Sequence, residues 1–251
     1  MNEHQFKRLI QDANNEFSGW DFSYISETER MRSGLLSWSY GSLARELIAD
    51  SDSMLDMGTG GGELLAKLQP FPPSIVATEG YKPNIPIAIE RLEPLGVKVV
   101  PYEKDSELPL DDEQFDLILN RHESFSAQEV RRIIQKGGFF LTQQVGGLDC
   151  KEINEWFGVP LNAEYEHWSL ATALRELEDH FTIWMGKEEF PIQRFYDVGA
   201  LVYYLKAIPW QVPDFQIETY EEKLFEIHRH IKKNGYFDVK QHRFVILAKA
   251  K

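Results

Sequence analysis

Apolar positions change their rhythm along the chain, and the change marks out the fold. In the first fifty residues they recur at helical spacing, as in residues 41–49, where Leu43, Leu47 and Ile48 share a face. A loop rich in aromatics (Phe17, Trp20, Phe22 and Tyr24) separates the helices of this stretch. From Ser53 onward the pattern becomes a series of short, continuous apolar runs at residues 53–57, 74–78, 97–101, 115–120 and 138–143. Helical stretches lie between them. One starts at Glu63, turns Leu64, Leu65 and Leu68 inward, and is stopped by Pro70, Pro72 and Pro73. Another covers residues 84–95 and is closed by Gly96; a third covers residues 127–135. Continuous apolar strands alternating with helices predict a parallel sheet covered on both faces.

Beyond residue 150 the pattern loosens. It predicts a helix at 169–180, a strand at 181–185, a strongly apolar helix at 197–208 and a loop through Pro209 and Pro213. A charged amphipathic helix at 219–233 and a last strand at 239–248 follow. The expected fold is therefore α/β, a doubly wound, seven-stranded, mostly parallel sheet. N-terminal helices precede it, and a helical insertion separates the last two strands.

Composition places the chain among ordinary globular proteins, with 43% hydrophobic and 27% charged residues. No apolar run nears the roughly 20 residues that span a bilayer, so no membrane partner is expected. Residues 1–15 are polar and lack the apolar core of a signal peptide. The single cysteine, Cys150, excludes an internal disulfide and a multi-cysteine zinc site, and reads as a packing residue. These features together predict a cytoplasmic protein with no metal.

A formal net charge of −13 repels phosphate backbones and makes a nucleic-acid partner an unfavourable expectation. The one basic stretch holds Arg229, Lys232, Lys233, Lys240 and Arg243, interspersed with His228, His230 and His242. It suits cations at the end of a helix, where they complement the dipole.

Candidate chemistry starts at Asp56-Met57-Gly58-Thr59-Gly60-Gly61-Gly62, where a strand must turn sharply into a helix. Glycine supplies positive φ there and leaves bare backbone for a ligand. Such loops serve dinucleotides and S-adenosylmethionine alike. A dinucleotide fingerprint beginning at Gly58 wants a small residue at position 63, and Glu63 stands there, a poor neighbour for pyrophosphate. Glu79 follows the second strand, 21 residues beyond Gly58, where a carboxylate can accept both hydroxyls of a ribose. Asp105 and Ser106 follow the third strand, and Asn120-Arg121-His122-Glu123 ends the fourth.

The series LDMGTGGG, TEG, KDSELPLDDEQFDLILNRHES and KGGFFLTQQVG resembles the class I S-adenosylmethionine-dependent methyltransferases, in the broad group with the small methyltransferase domain. The likeness is specific over residues 53–146; elsewhere only the order of elements agrees, with an antiparallel seventh strand. It implies one domain over residues 1–251, with 1–50 as a helical cap, 53–146 as the cofactor-binding core and 186–218 as an insertion or lid. The implied cofactor is S-adenosyl-L-methionine.

By position, Asp56 would approach the methionine amino group, while Gly58, Gly60 and Gly62 let the methionine and ribose pass the backbone. Glu79 would hold the ribose, Asp105 and Ser106 the adenine, and Asn120 the methionine side; Thr59 and Gly80 complete the set. His122 is the candidate general base, since a histidine titrates near neutral pH, with a backbone-bonded structural histidine as the alternative.

Trp20, Tyr24, Tyr196, Tyr203, Tyr204 and Trp210 are candidate pocket walls. Arg121 or Arg194 could pair with an anionic acceptor. A small-molecule methyl acceptor is the leading expectation. An RNA base, or a chain that binds the cofactor without methylating anything, are the alternatives. Nothing in the sequence indicates the acceptor atom or the oligomeric state.

Overall fold

The apolar runs assemble into one seven-stranded sheet: β1 (Ser53–Met57), β2 (Ser74–Glu79), β3 (Lys98–Pro101), β4 (Phe115–Arg121), β5 (Ile134–Val145), β6 (Phe181–Glu189) and β7 (Arg243–Ala250). Their order across the sheet is β3-β2-β1-β4-β5-β7-β6. β1, β2, β3, β4 and β5 pair in parallel, and β7 runs antiparallel to β5. This is the doubly wound arrangement expected from the sequence. The computed structural model describes residues 3–11, 14, 15, 17 and 22–251; Trp20 lies outside them.

The chain forms two compact units. One comprises Ser37–Val145, Ser169–Glu188 and Arg243–Lys251 and contains the large sheet. Its centre is built from strand residues with essentially no exposure, among them Met54, Leu55, Leu117, Ile118, Phe140 and Leu141. Residues facing both sides are apolar because helices cover both faces of a parallel sheet.

The amino ends of β1 and β4 are clamped to each other. The Asp116 carboxylate accepts the N–H groups of Asp52 at 2.9 Å and Ser53 at 3.1 Å, and the Ser53 hydroxyl accepts the N–H of Asp116 at 3.1 Å. The loop between β3 and β4 is pinned from the helix Ala127–Ile133. Arg132 of that helix donates to the carbonyls of Leu108 and Leu110 and to the Glu129 and Asp112 carboxylates. Glu129 also accepts the N–H of Leu108 at 2.7 Å.

The other unit comprises Met1–Leu36, Gly146–Trp168 and Glu189–His242. Its three-stranded antiparallel sheet joins Met31–Ser33, Ile192–Phe195 and Phe237–Lys240. The core is the helix Val198–Ala207, in which every residue except Lys206 is buried. Asp197 caps this helix by accepting the N–H of Ala200 at 2.9 Å, and it is itself gripped by Arg30 through two bonds of 2.7 and 2.8 Å. Tyr203 and Tyr204 belong to this core.

Three features differ from the sequence reading. The predicted last strand is two strands, broken at Gln241 and His242, the first in the small sheet and the second in the large one. Two strands, Ile192–Phe195 and Phe237–Lys240, accompany the helices of the insertion, and the N-terminal helices are joined by the strand Met31–Ser33. A further helix, Lys151–Phe157, carries no apolar stripe long enough to be read from the sequence.

Replacing Asp116 with Ala strands two N–H groups and should lower stability by about 1–2 kcal/mol in urea denaturation. Because the clamp is at the amino ends of the strands, ligand affinity measured at low urea should stay at the wild-type value.

Candidate active site

The carboxyl ends of β1 to β5 gather nearly all the polar residues singled out by sequence. Ligands of doubly wound sheets bind at this edge, where the strand order reverses between β1 and β4. The glycine loop leaves β1 here, and β2 holds it. The Thr78 carbonyl accepts the N–H of Thr59 at 2.9 Å, and the Thr78 hydroxyl accepts that of Gly58 at 3.3 Å. The Glu79 carboxylate accepts the N–H of Gly60 at 2.6 Å and of Tyr81 at 2.7 Å. The loop can present its amides this way because Gly58, Gly60 and Gly62 all have positive φ. A Cβ on Gly58 would also lie 2.2 Å from Cγ of Glu123, so backbone and carboxylate approach here as no other residue type permits.

Four carboxylates surround this loop. Asp56 ends β1 with only partial exposure, and loss of water raises its pKa from 3.8 to about 6. Glu79 is buried, and that burial raises its pKa against the lowering effect of its backbone donors. Glu123 is raised by burial and by the charges of Glu79 and Asp105, although the Tyr102 hydroxyl donates to it at 3.1 Å. Asp105 stands in the turn after β3, close enough to act on both Tyr102 and Glu123. Ser106 beside it is exposed. Gly80 gives Tyr102 its room, since a Cβ there would sit 3.1 Å from the ring. Glu63, the residue that spoils the dinucleotide fingerprint, pairs with Arg91, which also donates to the Gly61 carbonyl.

β4 contributes a second polar group. Asn120 is fully buried, and its Oδ1 accepts from the Thr142 hydroxyl at 2.8 Å and from Gln144 Nε2 at 2.7 Å. Its Nδ2 has no hydrogen-bond partner among the described residues. His122 has φ of 61° and keeps solvent access, yet it is crowded by protein. That loss of water, with the charges of Arg121 and Arg243, holds its pKa well below 6.5. Its Nε2 lies 3.0 Å from Nε2 of Gln143, whose Oε1 accepts the indole N–H of Trp38 at 2.8 Å.

The structure thus brings Asp56, Gly58, Thr59, Gly60, Gly62, Glu79, Gly80, Asp105 and Asn120 to one sheet edge, with His122 at its β4 end. Of the two candidate arginines, Arg194 is bound bidentately by Asp238 at 2.6 and 2.7 Å and lies 3.6 Å over the Tyr236 ring. Arg121 forms no ion pair among the described residues. Tyr102, Trp38, Gln143 and Gln144 were not singled out by sequence. Two adjacent glutamines in the otherwise apolar run FFLTQQV are the signal that could have marked the last two.

The family model described as a methyltransferase domain matches residues 55–142, the stretch that carries this edge. Several solved structures share the fold at low identity. A candidate methyltransferase of Bacillus halodurans is 16% identical, with 84% of this chain and 98% of that one covered and a TM-score of 0.61. A methyltransferase dependent on S-adenosylmethionine from Aquifex aeolicus is 14% identical over 100% of both chains, with a TM-score of 0.52. A geranyl diphosphate methyltransferase, solved with geranyl diphosphate and sinefungin, is 16% identical over 97% of this chain and 98% of that one, with a TM-score of 0.51. No curated protein sequence matches the chain. Among the described residues no helix is long and apolar enough to cross a membrane, and no group of side chains could hold a metal ion. Residues 55–142 are thus similar to the methyltransferase domain, and the fold of the chain is similar to that of solved methyltransferases.

Proposed function

We propose that the chain transfers the methyl group of S-adenosylmethionine to a small-molecule acceptor, with the cofactor held at the carboxyl ends of β1, β2 and β3. The observation that carries this reading is the set of carboxylates Asp56, Glu79, Asp105 and Glu123, three of which are raised in pKa by lost water. A raised carboxyl pKa means that negative charge is under-compensated in the free protein. A sulfonium ligand with an ammonium group relieves that charge, whereas a pyrophosphate would deepen it.

The residues fit this cofactor. Asp56 suits the ammonium group, and Glu79 offers the ribose hydroxyls the lone pairs left over from Gly60 and Tyr81. Asp105 and Ser106 are placed for the adenine, and the unpartnered Nδ2 of Asn120 is a donor for the methionine part. Gly58, Thr59, Gly60, Gly62 and Gly80 offer backbone at close range. The cofactor brings an activated methyl group, so the chain's own contribution is to bind, to orient and to exclude water. The net charge of −13 favours a small acceptor over an RNA.

Calorimetry with S-adenosylmethionine, S-adenosylhomocysteine and NAD tests the reading directly. Binding of the first two and not of NAD is expected; binding of NAD alone would overturn it. Glu79→Ala should weaken S-adenosylhomocysteine binding by about 1–3 kcal/mol, roughly fivefold to 150-fold, because the ribose loses a charged acceptor and Gly60 loses its anchor.

Asp56 makes a prediction about pH. Its folded pKa of about 6 exceeds the ordinary 3.8, so the folded state binds the proton more tightly. Stability should therefore fall as pH rises from about 4 to about 6 and stay lower above that. Asp56→Asn should remove this part of the slope and stabilise the free protein near pH 7 by roughly 1–2 kcal/mol, allowing for partial exposure, while weakening cofactor binding. Urea denaturation of both proteins across this pH range reads the difference; parallel curves would refute it.

A further inference from the structure

Four residues stand just beyond the carboxyl ends of four neighbouring strands. Tyr102 follows β3, Gly80 follows β2, Gly58 follows β1, and Glu123 lies two positions past β4. The strand order β3-β2-β1-β4 places both glycines between the tyrosine and the glutamate. The Tyr102 hydroxyl nevertheless donates to Oε1 of Glu123 at 3.1 Å, so a single hydrogen bond spans the ends of the two intervening strands.

The room left by the glycines lies under this bond and is filled by its partners. A Cβ on Gly80 would lie 3.1–3.4 Å from three atoms of the Tyr102 ring, and one on Gly58 would collide with the side chain of Glu123. In the free chain the backbone offered to the cofactor is therefore covered at both positions. A ligand lying against Gly58 and Gly80 has to take the space that Tyr102 and Glu123 hold.

The backbone is fixed at both ends of the bridge. The N–H of Tyr102 donates to the Glu79 carbonyl at 3.3 Å, and Gln144 Nε2 donates to the Glu123 carbonyl at 2.9 Å. The two side chains are partly exposed and can part by rotation about their own bonds while the strands stay in place. Burial and the adjacent Glu123 charge push the Tyr102 hydroxyl up, so it remains a donor.

We infer that the Tyr102–Glu123 hydrogen bond is a strap across the cofactor cleft, closed in the free chain and displaced by the ligand, a role that rests on the cofactor placement proposed above. Closed, it gives Glu123 a donor where Glu79 and Asp105 offer only like charge. A cationic ligand replaces that donor with an opposite charge, and a neutral one of the same shape does not. A strap also lowers apparent affinity by the fraction of molecules that hold it shut.

Tyr102→Phe tests the strap, because it removes the hydroxyl and keeps the ring and the Glu123 charge. Calorimetry and stopped-flow association with S-adenosylhomocysteine are compared for this variant and the wild-type full chain. Binding about twofold to tenfold tighter in Tyr102→Phe, with faster association, is expected. Equal binding would overturn the strap, and weaker binding would make Tyr102 a ligand contact instead. A second readout uses 3-fluorotyrosine in the chain, with Tyr102 identified by the ¹⁹F signal lost in Tyr102→Phe. That signal should move in ligand-free Glu123→Gln, and in the wild type on saturation with S-adenosylhomocysteine. A signal that either change leaves in place, while calorimetry shows binding, would overturn the strap as well. Failure of the cofactor reading looks different: neither protein then binds S-adenosylhomocysteine, and the strap's role goes with it. Binding that Tyr102→Phe does not tighten removes the strap alone.

Discussion

The site depends on one buried carboxylate. Glu79 closes β2 and takes the Gly60 amide with one oxygen and the Tyr81 amide with the other. A carboxylate withdrawn from water costs free energy unless backbone donors compensate, and these two compensate it in part. In return, the loop after β1 and the loop after β2 share a single fixed point. The positive φ values at Gly58, Gly60 and Gly62 are what let the loop reach that point. Any change that neutralises Glu79 therefore acts on loop geometry as well as on charge.

The edge of the sheet is divided by sign. Carboxylates cluster around the glycine loop, where Asp56, Glu79, Asp105 and Glu123 act on one another or on Tyr102. Cations cluster one strand further on, where Arg121 and Arg243 act on His122. Asp56 and Arg121 feel each other across the boundary, each shifting the other toward its charged form.

Much of this was legible in the sequence because it is local. The strands of the large sheet are buried on both faces and read as apolar runs, and the glycine loop announces a strand-to-helix turn. Glu79 and Asp105 follow their strands at the positions where such a sheet places ligands. What escaped is set by distant pairing. Met31–Ser33 is three residues long, and nothing near it reveals that Ile192–Phe195 will pair with it. The break at Gln241 and His242 lies within one apolar stretch, so periodicity joins what the two sheets divide. The contact between His122 and Gln143 was equally hidden, since the Gln143 amide is oriented by Trp38, 105 positions away.

The small sheet has a bearing on how the chain is made. Its first strand is made before the other two, and the one it pairs with, Ile192–Phe195, lies more than 150 residues later. The segment Ser37–Val145, by contrast, carries five neighbouring strands of the large sheet in nearly unbroken sequence. Synthesis therefore completes the nucleus of one unit while the opening residues of the other still have nothing to pair with. The strand Met31–Ser33 therefore has nothing to pair with until Ile192–Phe195 has been made.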